Sequence, residues 1–345
     1  MRALRRRLLT IPALALAWAL LLALTPLTLP LALLVGALRR RRFIAARMLL
    51  FVHVYTTLEL VGLLLGLGIG LGARRGSPAW LRRHVALQTW WACTLFAVAR
   101  RLLRLELRVE GDEALAPGPI VLALRHASLA DSLLPAALVT GPHGLRLAYV
   151  LKKELLVDPC LDVVGHRIPN HFVDRAQPTE ADLEAIGALL RDADTESGAI
   201  LFPEGTRFSS KKRARVLRRL EEKGSPHLAA ARALRHTLPP RLGGLAALLD
   251  ANPRADVVFC AHVGLEGFAT FADLLSGEVV GRTLAVRFWR VPARAIPEER
   301  EARLRWLYDQ WAEVDRFVGA RGDVSRASAG APPSPSRRGA ERAAS

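Results

Sequence analysis

Acidic residues are almost absent from the first quarter of this 345-residue chain. Residues 1–83 hold 13 arginines and one carboxylate, Glu59, a net charge of +12. Residues 321–345 add +3, and everything between contributes only +2 of the overall +17. The charge therefore flanks apolar runs, the pattern of a protein at an anionic membrane surface rather than one on nucleic acid. Cysteine is scarce. Cys93, Cys160 and Cys260 stand alone, which excludes a disulfide framework and leaves three buried thiols in a reducing compartment. No pair of histidines has zinc-ligand spacing; His166 and His171 are five apart but straddle Pro169. No metal is expected. There is no Gly-x-Ser-x-Gly elbow, which argues against a serine hydrolase. Lysine is rare as well, 5 of 49 basic residues, and the heavy use of Arg, Ala and Leu points to a GC-rich, bacterial source. With 51% hydrophobic residues, the chain is not disordered.

What is present begins with two long apolar runs. Residues 8–38 carry no charge. As one straight helix they would span about 46 Å against a hydrocarbon core of about 30 Å, and Pro26 and Pro30 are expected to break them. The run is either a long kinked span or a helix that turns back within the bilayer. A second run, Phe43–Gly72, contains His53 and Glu59 and ends among glycines. Arg clusters lie before, between and after the runs. Two simple spans would put Arg39–Arg42 outside, whereas two re-entrant hairpins would keep every cluster inside. Both arrangements leave the rest of the chain on the cytoplasmic face, in a bacterium the inner membrane.

From residue 85 the pattern changes. Residues 85–105 read as an amphipathic helix covering the membrane or the core. Strand-like runs follow at Ile120–Leu124, Leu147–Leu151, Ala199–Phe202, Asp256–Ala261 and Thr283–Trp289. Helical patterns fall between and after them, at Ser132–Val139, Glu180–Leu190, Val216–Leu234 and Glu298–Phe317. Such alternation implies an α/β fold. The organisation expected is membrane helices over 1–83, one α/β domain over 84–318 and a disordered tail over 319–345.

Two constellations carry chemistry. After Ile120–Leu124 comes Arg125-His126-Ala127-Ser128-Leu129-Ala130-Asp131. A histidine at a strand end can accept a proton near neutral pH, and a carboxylate five residues on can fold back to its other ring nitrogen. Asp131 could equally cap the following helix. The second is Leu201-Phe202-Pro203-Glu204-Gly205-Thr206-Arg207, an apolar strand entering a tight turn that ends in a guanidinium suited to phosphate. The basic run after it reads by itself as a solvated helix face.

His-x-Ser-x-x-Asp followed by Phe-Pro-Glu-Gly-Thr-Arg resembles the glycerolipid acyltransferase family, the group of the 1-acylglycerol-3-phosphate acyltransferases. Lys152-Lys153-Glu154-Leu155, Phe172-Val173-Asp174-Arg175 and Leu238-Pro239-Pro240-Arg241 with Gly244 resemble further elements of it. The resemblance spans roughly residues 85–290. It implies a mixed sheet flanked by helices and an enzyme that moves a fatty acyl group from a thioester to the free hydroxyl of lysophosphatidate. By resemblance His126 is the base and Asp131 orients it. Glu204, Gly205, Thr206 and Arg207 form the glycerol-phosphate site, joined by Arg175 and Lys153. No cofactor is implied; acyl-CoA or acyl carrier protein is the co-substrate, and a lysophospholipid and membrane lipids are the partners. One departure is Arg125, where many members have a small polar residue; a cation there could bind phosphate. Another lysophospholipid acceptor, hydrolysis, or a non-catalytic membrane scaffold are the competing readings.

Overall fold

The computed structural model describes residues 2–39, 43–128, 130–174, 179–266, 277 and 279–328. Seven strands form one sheet: β1 Glu106–Glu110, β2 Ile120–Leu124, β3 Arg146–Lys152, β4 His171–Val173, β5 Ser197–Leu201, β6 Asp256–Val263 and β7 Thr283–Val291. Their order is β1-β7-β6-β2-β5-β3-β4. Every pair is parallel except β6 with β7, so the sheet is mixed, as expected. The helices are α1 Arg2–Leu38, α2 Ile44–Gly72, α3 Pro78–Leu103, α4 Pro159–Val164, α5 Glu180–Ala188, α6 Ser210–Glu222, α7 Leu228–Ala233, α8 Gly243–Ala251 and α9 Arg300–Ser328.

β2 lies at the centre with all five residues buried, which explains its uninterrupted apolar sequence. One face of the sheet packs against α5, α7, α8 and α9, where Phe259 stacks on Trp289 at 5.4 Å and meets the edge of the fully buried Trp311. Truncating Trp311 to Ala costs about 3–5 kcal/mol by the usual cavity penalty. The other face packs against α3, the stretch after Asp131 and Ile44 of α2.

Several expectations are adjusted. The edge strands β1 and β4 lack a buried apolar run; β1 alternates exposed and half-buried residues. The single helix expected over Val216–Leu234 is two, α6 and α7, divided at Gly224, whose φ of +58° ends a helix readily. α9 continues through residue 328, so the first part of the expected tail is helical; 329–345 lie outside the described residues.

α1 is also continuous, through Pro26 and Pro30. The hydroxyls of Thr25 and Thr28 donate to Leu21 O at 2.7 Å and Leu24 O at 3.0 Å in this part of the helix. α1 and α2 are both long and apolar enough to cross a membrane. They form one hairpin, with Trp18 Nε1 donating to Thr57 Oγ1 at 3.0 Å, and the hairpin lies along the α/β domain rather than projecting from it. α2 touches the domain over its whole length. Arg47 donates to Leu102 O, Tyr55 Oη to Asp158 Oδ2 at 2.6 Å, and Cys160 N to Glu59 Oε2 at 3.1 Å. Near its end Arg167 Nη1 donates to Gly66 O at 2.6 Å. The start of α1 is held by Asp162, whose fully buried carboxylate accepts from Arg6 at 2.7 and 2.9 Å and from Arg7 at 3.2 Å.

The two sides of that ion pair are unequal, and this gives a test. Arg6 and Arg7 are about one-third exposed and can rehydrate; Asp162 cannot. Arg6→Ala/Arg7→Ala strands a buried charge and costs about 3–5 kcal/mol, whereas Asp162→Asn costs about 1–2 kcal/mol. Thermal unfolding in detergent should rank the double variant well below Asp162→Asn; the reverse order would contradict this picture.

Candidate active site

β2 runs parallel to both of its neighbours, with Leu124 beside Cys260 of β6 and Ala123 beside Leu201 of β5. The carboxyl ends of three adjacent strands therefore open at one edge, where ligands bind in α/β sheets. This topology brings together the two constellations that are far apart in the chain.

Asp131 organises the first turn. Its Oδ2 accepts from Ala127 N at 2.6 Å and Ser128 N at 2.7 Å, and its Oδ1 accepts from Ser128 Oγ at 2.6 Å. The turn is thus wound around one carboxylate, and His126 Nδ1 lies 3.1 Å from Oδ2. Asp131 is fully buried. Burial opposes its charge, but nearby His262 and hydrogen bonds from His126 and Ser128 outweigh this and hold its pKa below the ordinary carboxylate value. An ionised Asp131 assigns the ring proton to Nδ1, leaving Nε2 as the basic nitrogen. The ring is 16% exposed and rests on Phe202, with centroids 4.6 Å apart. Ser128 is buried and its hydroxyl donates to Asp131, so it shapes the turn and is not placed as a nucleophile.

Glu204 joins the two constellations from beneath. Its Oε1 accepts from His126 N and its Oε2 from Leu238 N, both at 2.8 Å. It is 1% exposed, with both oxygens turned to backbone donors, so it supports the site instead of lining a phosphate pocket. Burial pushes its pKa up to about 7; the His126 N–H, the charge of Arg125 and the Leu238 N–H only partly offset this. Leu238 is itself held through Asp315 of α9, which accepts from Arg235 N, His236 N and Thr237 N at 2.7–3.0 Å.

The remaining turn residues face outward and are half-buried. Gly205 has φ +68°, and a Cβ there would sit 3.3 Å from the Arg241 guanidinium. Arg241 N also donates to Pro203 O at 2.9 Å, so this arginine covers the turn. Lys212 Nζ donates to Thr206 Oγ1 at 2.9 Å and to Arg207 O at 3.0 Å. Partial burial and the nearby charges of Arg207, Arg215 and Lys152 push the Lys212 pKa down. Thr206, Arg207, Lys212, Arg241 and Lys152 therefore make a cationic patch beside the His126 turn.

Of the residues expected from the sequence, His126, Asp131, Glu204, Gly205, Thr206 and Arg207 come together. Lys153 is exposed at the start of the turn after β3; the lysine whose charge reaches Lys212 is its neighbour Lys152. Arg175 lies outside the described residues. Arg125 does not face the patch: it is buried and paired with Glu266 Oε1 at 2.7 Å, so its cation is not a phosphate ligand. Lys212 was hidden within a basic run. Its only signal was its place on the first turn of α6, capped by Ser209, six residues after Thr206. Among the described residues, no three of His, Cys, Asp and Glu are grouped as a metal site would need.

Two expected outcomes follow from this geometry. Gly205→Ala forces a left-handed Ala against Arg241, costs about 1–2 kcal/mol in stability, and should raise KM for a phosphate-bearing acceptor more than it lowers kcat. Glu204 carries an ordinary pKa of 4.5 when unfolded and about 7 when folded. The native state therefore keeps its proton to higher pH, and the stability this provides is full below pH 4.5 and lost as pH rises through 7. The loss is about 3 kcal/mol. Urea unfolding between pH 4.5 and 8 should show that slope in the wild type, and its absence in Glu204→Gln.

The acyltransferase family model matches residues 106–255. The 1-acyl-sn-glycerol-3-phosphate acyltransferase delta of Bos taurus is 30% identical over 172 residues, 48% of this chain and 43% of that protein. The enzyme of the same name from Homo sapiens is 27% identical over 245 residues, 68% of this chain and 59% of that protein. The chain thus spans about half the length of the curated relatives it matches. The crystal structure of the 1-acyl-sn-glycerophosphate (LPA) acyltransferase PlsC from Thermotoga maritima aligns with 80% of this chain and 98% of its own, with TM-score 0.52 and 16% identity, which speaks for the fold. The matching family model and the listed relatives are acyltransferases, and the chain shares the fold of the solved PlsC structure.

Proposed function

We propose that the protein moves a fatty acyl group from an acyl thioester to the free hydroxyl of a 1-acylglycerol 3-phosphate, giving phosphatidate. The observation that carries this reading is the buried Asp131 carboxyl 3.1 Å from His126 Nδ1, beside the cationic patch of Arg207, Lys212 and Arg241. His126 Nε2 takes the proton of the acceptor hydroxyl as its oxygen attacks the thioester carbonyl carbon. The C–S bond then breaks, and the thiolate receives that proton from His126. Asp131 stabilises the imidazolium in between. No covalent acyl-enzyme is needed. The patch favours an acceptor carrying a phosphate monoester over one whose phosphate is masked by a head group.

The apolar hairpin supports work at a membrane. Because α2 lies against α3 and α4 throughout, a perpendicular crossing would carry parts of the domain into lipid. A hairpin lying in one leaflet does not, and it leaves exposed arginines such as Arg74 and Arg82 among head groups. On this reading the domain sits on the cytoplasmic face and takes both amphiphiles from the bilayer.

The test is transfer of labelled acyl groups by membranes carrying the wild type, His126→Ala or Asp131→Asn. Acyl-CoA and acyl carrier protein are offered as donors, lysophosphatidate and head-group-bearing lysolipids as acceptors. Lysophosphatidate should be acylated, with kcat down about 10³-fold or more in His126→Ala and about 10²-fold in Asp131→Asn. Activity surviving in His126→Ala removes the base, and acylation of only another lysolipid moves the acceptor.

A further inference from the structure

Regular pairing of β2 with β6 ends at Leu124 beside Cys260, and the last backbone bond there is Arg125 N to Cys260 O at 3.1 Å. His126 is the next residue. Beyond that last rung the two strand ends are tied by side chains. Arg125 Nη1 donates to His262 O at 2.5 Å, and His262 Nε2 donates to Arg125 O at 3.1 Å. Each side chain thus bonds the other residue's carbonyl. Both are buried, Arg125 at 2% and His262 at 0% exposure. The Arg125 charge is balanced by Glu266 at 2.7 Å.

His262 also forms the wall behind the dyad. Its Nε2 passes 3.6 Å from Asp131 Oδ1, too far for a hydrogen bond but close enough for its N–H dipole to act on the carboxylate. Two imidazoles therefore flank one aspartate. Burial, with the charge of Arg125, pushes the His262 pKa down despite Asp131 and Glu266, and its Nε2–H is given to Arg125 O, not to Asp131. Besides His126, the ionisable groups acting on Asp131 or His262 include Arg125, Glu204, Cys260 and Glu266.

We propose that Arg125 and His262 are positioning residues for the His126 base: their crossed bonds fix the first step of the catalytic turn and reserve Asp131 for His126. Neither side chain reaches the acceptor patch. The inference deepens the acyl-transfer reading and rests on it for the role of His126.

His262→Leu removes the donor to Arg125 O and the dipole facing Asp131. A less well-solvated Asp131 holds the proton on His126 more firmly, so the His126 titration midpoint moves up. His262→Gln keeps an N–H donor at similar reach and should restore the wild-type behaviour. The experiment follows the His126 ring by carbon NMR against pH in detergent micelles, with the signal identified by its loss in His126→Ala, alongside kcat and KM for lysophosphatidate. For His262→Leu the midpoint should rise by about half a pH unit and kcat fall about tenfold with KM nearly unchanged. His262→Gln should lie within about threefold of wild type. If His262→Leu does not fold, His262→Asn, whose shorter side chain falls short of Arg125 O, should shift in the same direction. A His126 midpoint and kcat unchanged in the Leu or Asn variant, with only the melting temperature lowered, would overturn the proposal. The titration needs no acyl transfer. The expected shift in a protein that acylates nothing would uphold the positioning and defeat the acyl-transfer reading.

Discussion

Two backbone N–H groups, from His126 and Leu238, converge on the buried carboxylate of Glu204, and the rest of the site depends on that convergence. A carboxylate is rarely buried without a cation in contact, because its desolvation is costly. Here backbone donors from two segments that otherwise share no element offset part of that cost, and the rest appears as the raised pKa of Glu204. The strand end that carries His126 and the segment that leads into Arg241 are drawn to the same point, and Gly205 turns beside it. Asp315 of α9 extends the arrangement by fixing the three residues before Leu238. Helix α9, remote in sequence from either motif, is thereby linked through Leu238 and Glu204 to the His126 turn.

The N-terminal hairpin follows a related logic at the other side of the domain. Apolar helices hold each other weakly in lipid, so polar contacts and close packing decide where they sit. Each contact of α2 with the domain pairs a helix group with a particular domain group: Tyr55 with Asp158, Glu59 with Cys160 N, and the carbonyl of Gly66 with Arg167. Gly62 faces the Cys160 sulfur so closely that a Cβ would stand 2.6 Å from it. Asp162 then takes both Arg6 and Arg7. The arginines that composition alone presents as a uniform basic flank divide into two kinds. Some hold the hairpin to the domain, and others, such as Arg74 and Arg82, are exposed at its ends.

Much of this was legible in the sequence because it depends on local pattern. β2, β3, β5, β6 and β7 are buried strands and read as apolar runs. The His126–Asp131 turn was legible because its bonds span five residues or fewer. What could not be read lies where burial or partnering is decided at long range. β1 and β4 are edge strands with little apolar signal. Arg125 was open to a phosphate role until Glu266 and His262 were found beside it. Lys212 looked like one of several solvent-facing cations in a basic helix. Glu204 was legible as a site residue, but its orientation was not, since its second partner, Leu238, arrives through a segment whose course Asp315 sets. Pro26 and Pro30 misled for a different reason: the rule that proline breaks helices is drawn from water-soluble proteins, and apolar helices of this length tolerate proline within them.

The two carboxylates closest to His126 show how one small turn divides labour by environment. Both are almost completely buried, yet their proton affinities are pushed apart. Asp131 has His262 beside it and collects N–H and O–H donors on both oxygens, from His126 and Ser128 among others, and its pKa is held down. Glu204 has one backbone donor on each oxygen and is raised to about 7. Charge is thus concentrated on the carboxylate that faces Nδ1, where it can stabilise an imidazolium, and is weakest on the one that grips the backbone, where charge has no catalytic use. If the two environments were exchanged, the ring would face a carboxylate that is neutral for part of the physiological range, and Nε2 would lose basicity when a hydroxyl has to be deprotonated. The neighbouring His262 and the donors around its oxygens together favour charge on Asp131, which is the environment that the proposed general-base role of His126 requires.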